Sequence, residues 1–244
     1  MKKKLGLIGK NISYSFSENY FNEKFKILQL ENYEYVNFDI ATIEEFPKLL
    51  IQNRNLIGLN VTIPYKQSII PFLASLSNKA FKIGAVNTIK FNKKGNLKGY
   101  NTDCYGFKKA IKPLLKHHKN ALILGTGGAS KAVAFALNEL NIKVTFVSRT
   151  SFDNCFTYEE LTSKIIKNHQ IIVNCTPIGT FPNCELFPPI PYNYLTKNHL
   201  VFDLIYNPEE TAFLKKAKLQ GAEIKNGLEM LLYQAEKAWQ IWNK

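Results

Sequence analysis

No run of about eighteen apolar residues interrupts the chain, so no membrane-spanning helix is expected. The opening Met1-Lys2-Lys3-Lys4 is basic, but neither the apolar stretch nor the cleavage site of a signal peptide follows it. The expected compartment is therefore the cytoplasm. Cysteine is scarce: Cys104, Cys155, Cys175 and Cys184 form no C-x-x-C pair and have no histidine at a metal-ligand spacing. They read as reduced thiols, and no metal is expected. Adjacent His117 and His118 would point to different faces of a helix. Acidic residues are also few, 19 against 32 lysines and arginines, for a net charge of +13. The lysines fall in short separate groups (Lys2 to Lys4, Lys93-Lys94, Lys215-Lys216 with Lys218), with no basic helix interleaved with aromatics. A nucleic-acid partner is not expected, and the positive field is read as drawing in anionic small molecules. Internal repeats and low-complexity segments are absent.

What remains is an ordinary packed composition, 45% hydrophobic and 21% charged, over 244 residues. That length suits one large or two modest domains. Strand and helix patterns alternate through the first hundred or so residues. Leu5 to Gly9 reads as a buried strand, Glu18 to Leu30 as a helix, Tyr33 to Asp39 as a strand and Ile43 to Ile51 as a helix. Leu56 to Ile63 is a third strand, with Pro64 placed in the first turn of a following helix. Val86 to Phe91 and Leu97 to Tyr100 form a hairpin, and Tyr105 to Leu115 a helix. A second unit then begins: strand Ala121 to Leu124, glycine loop, helix Ala129 to Leu140, strand Val144 to Val147. Further strands are expected at Ile171 to Asn174 and Leu200 to Leu204, and Leu228 to Trp242 carries a helical apolar stripe.

The loop Gly125-Thr126-Gly127-Gly128-Ala129-Ser130 follows a strand and opens a helix. Gly125 permits the tight turn, and Gly127 clears space where a pyrophosphate approaches the helix amides. A glycine turn alone is weak evidence; the βαβ layout around it strengthens the dinucleotide reading. The next strand ends about twenty residues on, where an NAD site carries an acid for the ribose hydroxyl. Here Ser148-Arg149-Thr150 stands instead, which suits the extra phosphate of NADP. The alternative for Arg149 is an exposed surface charge.

Polar residues also collect at strand ends in the first half: Ser13, Ser15 and Ser17; Asn60, Thr62 and Lys66; Asn87 and Thr88; Asn101, Thr102 and Asp103. Each alone reads equally as a turn or cap residue. Together they lie where open α/β sheets bind ligands.

In order along the chain stand SYSFS, GLNVTIPYK, GAVNT, GYNTD, GTGGA, SRT, NCTPIG, DLIYNP and GLEMLLYQA. Any one is unspecific, but nine in sequence and correctly spaced resemble the shikimate dehydrogenase (shikimate/quinate dehydrogenase) family nearly end to end. The resemblance implies two α/β domains. A substrate-binding and catalytic domain would span 1–103 plus 228–244, and a Rossmann-like NADP-binding domain 104–227, with the last helix returning to the first domain. It implies an oxidoreductase acting on a CH–OH group, which interconverts 3-dehydroshikimate and shikimate with NADP on the route to chorismate and the aromatic amino acids. The partner is a small molecule, and the enzyme is expected as a monomer or homodimer.

By motif, Ser15 and Ser17 would bind the substrate carboxylate with help from Tyr206. Thr62, Lys66, Asn87, Asp103 and Gln234 would bind ring hydroxyls, Lys66 and Asp103 forming the catalytic pair. Gly125, Thr126, Gly127, Gly128 and Ala129 would hold the pyrophosphate, Ser148, Arg149 and Thr150 the adenosine phosphate, and Leu204 and Gly227 the nicotinamide. Hydride arriving at a ketone carbon leaves an alkoxide that needs a proton and a positive charge. Lys66 serves either as general acid or as electrostatic clamp, with Asp103 orienting it and keeping it charged. The alternatives are a surface helix lysine for Lys66 and a helix cap for Asp103. Tyr206 beside Pro208 could simply close a turn, and Gln234 could border a packed helix face. Two other functions stay open: a quinate/shikimate dehydrogenase, and a catalytically silent dinucleotide-binding regulator.

The chain departs from the family pattern in places. Tyr14 and Glu18 stand where a histidine and a proline are usual, and Ser148 where an asparagine is. Ser151-Phe152-Asp153-Asn154 lacks a usual basic residue. The short Thr150-to-Asn174 stretch predicts loss of roughly a helix and a strand, with weaker or less strict NADP binding.

Overall fold

The computed structural model describes residues 2–12, 15–92, 94–150 and 155–244. Within them the chain forms two compact units, Met1–Thr102 with Ala235–Lys244, and Asp103–Gln234. The first contains β1 (Lys3–Gly9), α1 (Phe16–Ile27), β2 (Tyr33–Asp39), α2 (Phe46–Gln52) and β3 (Leu56–Val61). It continues through β4 (Ser75–Leu76), α3 (Asn78–Ile83), β5 (Thr88–Phe91) and β6 (Leu97–Tyr100). The six strands form one mixed sheet in the order β2-β1-β3-β5-β6-β4. β1 runs parallel to both of its neighbours, while β3, β5 and β6 pair antiparallel.

The local reasons are readable. The apolar β1 is buried because both sheet faces are covered. α1 starts at the cap Ser15, carries Glu18 in its first turn and Lys24 and Lys26 in its last, and buries Phe21 and Phe25 one turn apart. The edge strand β2 is partly closed by a side chain: Asn22 of α1 donates to the Tyr35 carbonyl and accepts its N–H, both at 3.0 Å. One core layer joins Leu5, Phe21, Phe25 and Tyr35 to Ala235, Ala238 and Trp242. The opposite layer holds Ile8, Phe46, Leu59, Val61, Tyr65 and Ile89.

Several expected elements shift. The helix after β2 opens as a 3-10 turn at Ile43–Glu45. No helix follows Pro64: the Ile63–Pro64 peptide is cis, and residues 63–69 form successive turns before a 3-10 turn at Ile70–Phe72. Lys66 thus lies on a turn and not on a helix. The short elements β4 and α3 had no periodicity by which to be read.

The second unit contains α4 (Asp103–Ile111), β7 (Asn120–Leu124), α5 (Gly128–Asn138), β8 (Lys143–Ser148) and β9 (Cys155–Thr157). It continues through α6 (Ser163–Asn168), β10 (Ile171–Asn174), β11 (Leu200–Asp203), α7 (Ala212–Leu219) and β12 (Glu223–Lys225). α8 (Leu228–Trp242) opens in this unit and closes in the first. The sheet is parallel throughout, in the order β12-β11-β10-β7-β8-β9. This is a doubly wound, Rossmann-like layout, and its strand order reverses beside β7, where such sheets open a ligand crevice. The short stretch before Asn174 holds one strand and one helix, β9 and α6.

Candidate active site

In the first unit the polar strand-end residues form a buried network. Asn87 is 3% exposed, and its Oδ1 accepts the Thr102 N–H at 2.7 Å, while its Nδ2 donates to the Thr102 hydroxyl at 2.9 Å. Asn60, also buried, donates from Nδ2 to the Asn87 carbonyl and to the Thr88 hydroxyl, both at 3.2 Å. Its Oδ1 accepts the Tyr35 hydroxyl at 2.8 Å. Buried polar groups must be satisfied this way, and each bond also fixes a side chain's direction.

Ser15 and Ser17 stand at the start of α1. The Ser15 hydroxyl caps the helix by accepting the Ser17 N–H at 3.1 Å, which leaves its own proton to donate. Ser17 is buried near the Tyr35 phenol. Burial pushes that phenol well above its ordinary range. Glu18, at the family's proline position, accepts from Asn37 Nδ2 at 2.6 Å and so ties the helix start to β2. Ser13 and Tyr14 lie outside the described residues.

Lys66 is half-buried, and its backbone is held from two directions. Its carbonyl accepts the Val86 N–H at 2.7 Å. The neighbouring Tyr65 is anchored by its N–H to the Thr62 carbonyl at 2.9 Å and by its hydroxyl to the Ile40 carbonyl at 2.7 Å. Thr62 and Lys66 therefore sit on a fixed turn directly after β3.

The second unit holds Asp103 and Gln234. Asp103 is the first residue of α4, buried, with its carboxylate at the positive end of the helix. One turn later, Gly106 packs against α8: a Cβ there would come within 2.5 Å of the Met230 carbonyl and 3.1 Å of the Gln234 Cβ. Only the missing side chain lets the two helices touch backbone to backbone. Gln234 is 8% exposed, and its Nε2 donates to the Leu231 carbonyl at 3.0 Å. Lys109 completes the contact, its ammonium 4.1 Å from the Tyr233 ring centroid.

The glycine loop leaves β7 at Gly125, whose φ of +98° is a left-handed conformation suited to glycine. Gly127 is the N-cap of α5 and supplies no side-chain bond to the helix amides, and a Cβ added to it would point into open space. Ser130 closes the turn by donating to the Gly127 carbonyl at 2.6 Å. Ser148 ends β8, with Arg149 and Thr150 exposed beyond it. Residues 151–154 lie outside the described residues.

Around Leu204 the structure reveals a cluster that the sequence reading missed. Asp203, fully buried, accepts from Asn174 Nδ2 at 3.0 Å, from the Ile205 N–H at 3.0 Å and from the Thr211 hydroxyl at 2.6 Å. Burial outweighs these donors and raises its carboxyl to about 6. The Asn174 Oδ1 in turn accepts the Thr176 N–H and hydroxyl, at 3.0 and 2.7 Å. Leu204 donates its N–H to the Asn174 carbonyl at 3.1 Å, and a side chain on Gly227 would collide with the Leu204 carbonyl. Leu204 and Gly227 are thus held against each other. Tyr206 is half-buried two residues further on. The catalytic pair expected from the sequence, Lys66 and Asp103, is divided between the two units.

Residues 7–89 match the model of the shikimate dehydrogenase substrate binding domain. The chain is 41% identical to the shikimate dehydrogenase (NADP(+)) of Methanococcus maripaludis strain C6, over 98% of this chain and 91% of that protein. Among solved structures it resembles shikimate dehydrogenase from Aquifex aeolicus, with TM-score 0.88 and 36% identity over 99% of this chain and 92% of that one. It also resembles the enzyme from Thermus thermophilus, solved in complex with NADP(H) and shikimate. There the TM-score is 0.86 and the identity 31%, over 99% of this chain and 93% of that one.

Proposed function

Because the chain belongs to the shikimate dehydrogenase family, we propose that it catalyses the reversible, NADP-dependent reduction of 3-dehydroshikimate to shikimate, a step towards chorismate and the aromatic amino acids. The observation that carries the reading is end-to-end likeness to an NADP-dependent relative in a chain that also keeps Lys66, Asp103 and an uncapped glycine turn. We assign residues 1–103 with 228–244 to substrate binding and catalysis, and 104–227 to the cofactor. The enzyme is read as cytoplasmic, a monomer or homodimer working on a free small molecule.

The second unit suits a dinucleotide. Gly125, Thr126, Gly127, Gly128 and Ala129 would hold the pyrophosphate at the α5 amides, since the open space over Gly127 and the absent cap leave those donors to an anion. Ser148, Arg149 and Thr150 would hold the adenosine phosphate, and Leu204 and Gly227 would flank the nicotinamide. When bound, the reduced cofactor supplies hydride. Ser15 and Ser17, with Tyr206, bind the substrate carboxylate, and Thr62, Asn87 and Gln234 its hydroxyls. The Lys66 ammonium offsets the negative charge growing on the substrate oxygen and gives that oxygen a proton from Nζ. Asp103 is the carboxylate that keeps the ammonium charged.

The test is NADPH oxidation with 3-dehydroshikimate, followed by the absorbance of the reduced nicotinamide. Turnover is expected in the wild type. A fall in kcat of about 10²- to 10⁴-fold is expected in a folded Lys66→Ala variant. No turnover in the wild type would sink the reading. Parallel assays with quinate and with NADH separate a quinate-directed enzyme, for which no feature of the site speaks.

A further inference from the structure

We infer that Asp203 is a positioning residue, whose buried carboxylate fixes the spacing between the glycine turn at Gly125 and the seat formed by Leu204 and Gly227. This rests on the proposed roles of that turn and that seat in holding the pyrophosphate and the nicotinamide of NADP.

The direction of each bond follows from chemistry. An ionised carboxylate can only accept, so Asn174 must turn its Nδ2 to Asp203 Oδ1, and does so at 3.0 Å. The Asn174 Oδ1 is thereby aimed at Thr176, whose N–H and hydroxyl both donate to it, at 3.0 and 2.7 Å. Thr176 in turn packs beside the first glycine of the turn: a Cβ on Gly125 would lie 3.0 Å from the threonine methyl. Between them, the Cys175 N–H bonds the Leu124 carbonyl at 2.9 Å and ties this segment to the end of β7. One arm of the carboxylate therefore reaches the glycine turn.

The other arm reaches the nicotinamide seat. The same Oδ1 accepts the Ile205 N–H at 3.0 Å, closing a tight turn around Leu204. The Ile205 carbonyl accepts the Gly227 N–H at 3.1 Å, and the Leu204 N–H donates to the Asn174 carbonyl at 3.1 Å. Leu204 and Gly227 are thus placed from the oxygen that also orients Asn174. Oδ2 takes the Thr211 hydroxyl at 2.6 Å, so the carboxylate cannot rotate without giving up bonds on both sides. Asp203 and Asn174 are both fully buried, so neither meets a ligand directly. Their effect on binding passes through the two loops.

The experiment measures NADPH and adenosine 2′,5′-bisphosphate binding to the wild type, Asp203→Ala, Asn174→Ala and Asp203→Asn. NADPH spans the glycine turn and the nicotinamide seat. The bisphosphate has no nicotinamide and does not sense their spacing. Titration calorimetry gives both affinities, and thermal melts set a temperature at which each variant is folded. Asn174→Ala leaves the carboxylate its Ile205 and Thr211 donors, and so serves should Asp203→Ala not fold. NADPH binding is expected to weaken about tenfold in both alanine variants, as it must if the loops take the productive spacing about one-tenth of the time. Bisphosphate binding is expected to stay within about twofold, since a ligand indifferent to the spacing reports no shift. Asp203→Asn is expected to keep NADPH affinity within about twofold, because its amide oxygen still accepts from Asn174 and Ile205 while its Nδ2 donates to the Thr211 oxygen. Unchanged NADPH affinity in the alanine variants, an equal loss of both ligands, or an equal NADPH loss in Asp203→Asn overturns the inference while leaving the cofactor site in place. A wild type that binds no NADPH instead removes the cofactor reading, and the role of Asp203 with it.

Discussion

The hydroxyl of Thr211 donates to Oδ2 of Asp203 across 2.6 Å, with both residues fully buried. Thr211 is also the N-cap of α7, accepting the Leu214 N–H, so a single hydroxyl joins the end of β11 to the start of a helix. Among the described residues the carboxylate lies among donors with no cation beside it, which is why burial prevails and its pKa rises from 3.8 to about 6.

A stability consequence follows. Between about pH 4 and 6 the folded protein holds a proton on Asp203 that the unfolded chain releases, so stability falls as pH rises through this window. Asp203→Asn resembles the protonated state at every pH. The difference in unfolding free energy, variant minus wild type, should therefore grow by roughly 3 kcal/mol from pH 4 to pH 7. Urea melts across that range measure it, and parallel profiles would refute a raised carboxyl.

Gly106 offers a test of helix placement. Alanine there meets the Met230 carbonyl and the Gln234 backbone, so α4 and α8 must separate by some tenths of an ångström. Overpacking of this kind costs about 1–3 kcal/mol. Asp103 and Gln234 sit on those two helices, so kcat/KM for 3-dehydroshikimate should drop at least about tenfold in Gly106→Ala, more than the lost stability alone explains. Unchanged kinetics in a destabilised variant would show that the contact serves packing only.

Trp242 ends α8 by donating its indole N–H to the Ile89 carbonyl at 2.9 Å, in the core layer shared with Phe21 and Tyr35. Trp242→Phe keeps most of the packing and loses that bond. A stability loss of about 1 kcal/mol is expected, read from the denaturation midpoint, with kcat unchanged.

Much of the fold was legible because its strands are either continuous apolar runs or clear alternations. β2 and β10 fall where the pattern placed them, as does α8 with its apolar stripe. Boundaries slipped where a cap decides them: α1 begins at Phe16 because the Ser15 hydroxyl starts it two residues before the apolar pattern does. The turn after Pro64 could not be read, because its shape comes from bonds to Ile40 and Val86, which are remote in sequence.

In the site, the side chains quoted from motifs were visible, and the groups that hold them were not. Asp203 stands inside DLIYNP, yet its donors come from Asn174 and Thr211, and only folding reveals three partners on one carboxylate. Tyr35 reads as one more aromatic in an alternating strand. Nothing in its neighbours announces a hydroxyl buried against Asn60. Asn60 was noticed as polar, but its bonds to Asn87 and Thr88 depend on the pairing of β3 with β5.

Arg149 is the residue proposed to set the cofactor preference, and its exposure shapes what a variant should show. It stands just past β8, beyond the strand that flanks the glycine loop strand β7, where an acid would serve NAD. An exposed guanidinium facing a phosphate acts mainly through charge, so salt screens it. Arg149→Ala should raise the KM for NADPH on the order of tenfold or more at low salt, with a smaller ratio at high salt. The KM for NADH should hardly move, since NADH lacks the phosphate that Arg149 would meet. If both dinucleotides weaken equally, Arg149 shapes the loop and does not read the phosphate, and discrimination must then come from Ser148 and Thr150.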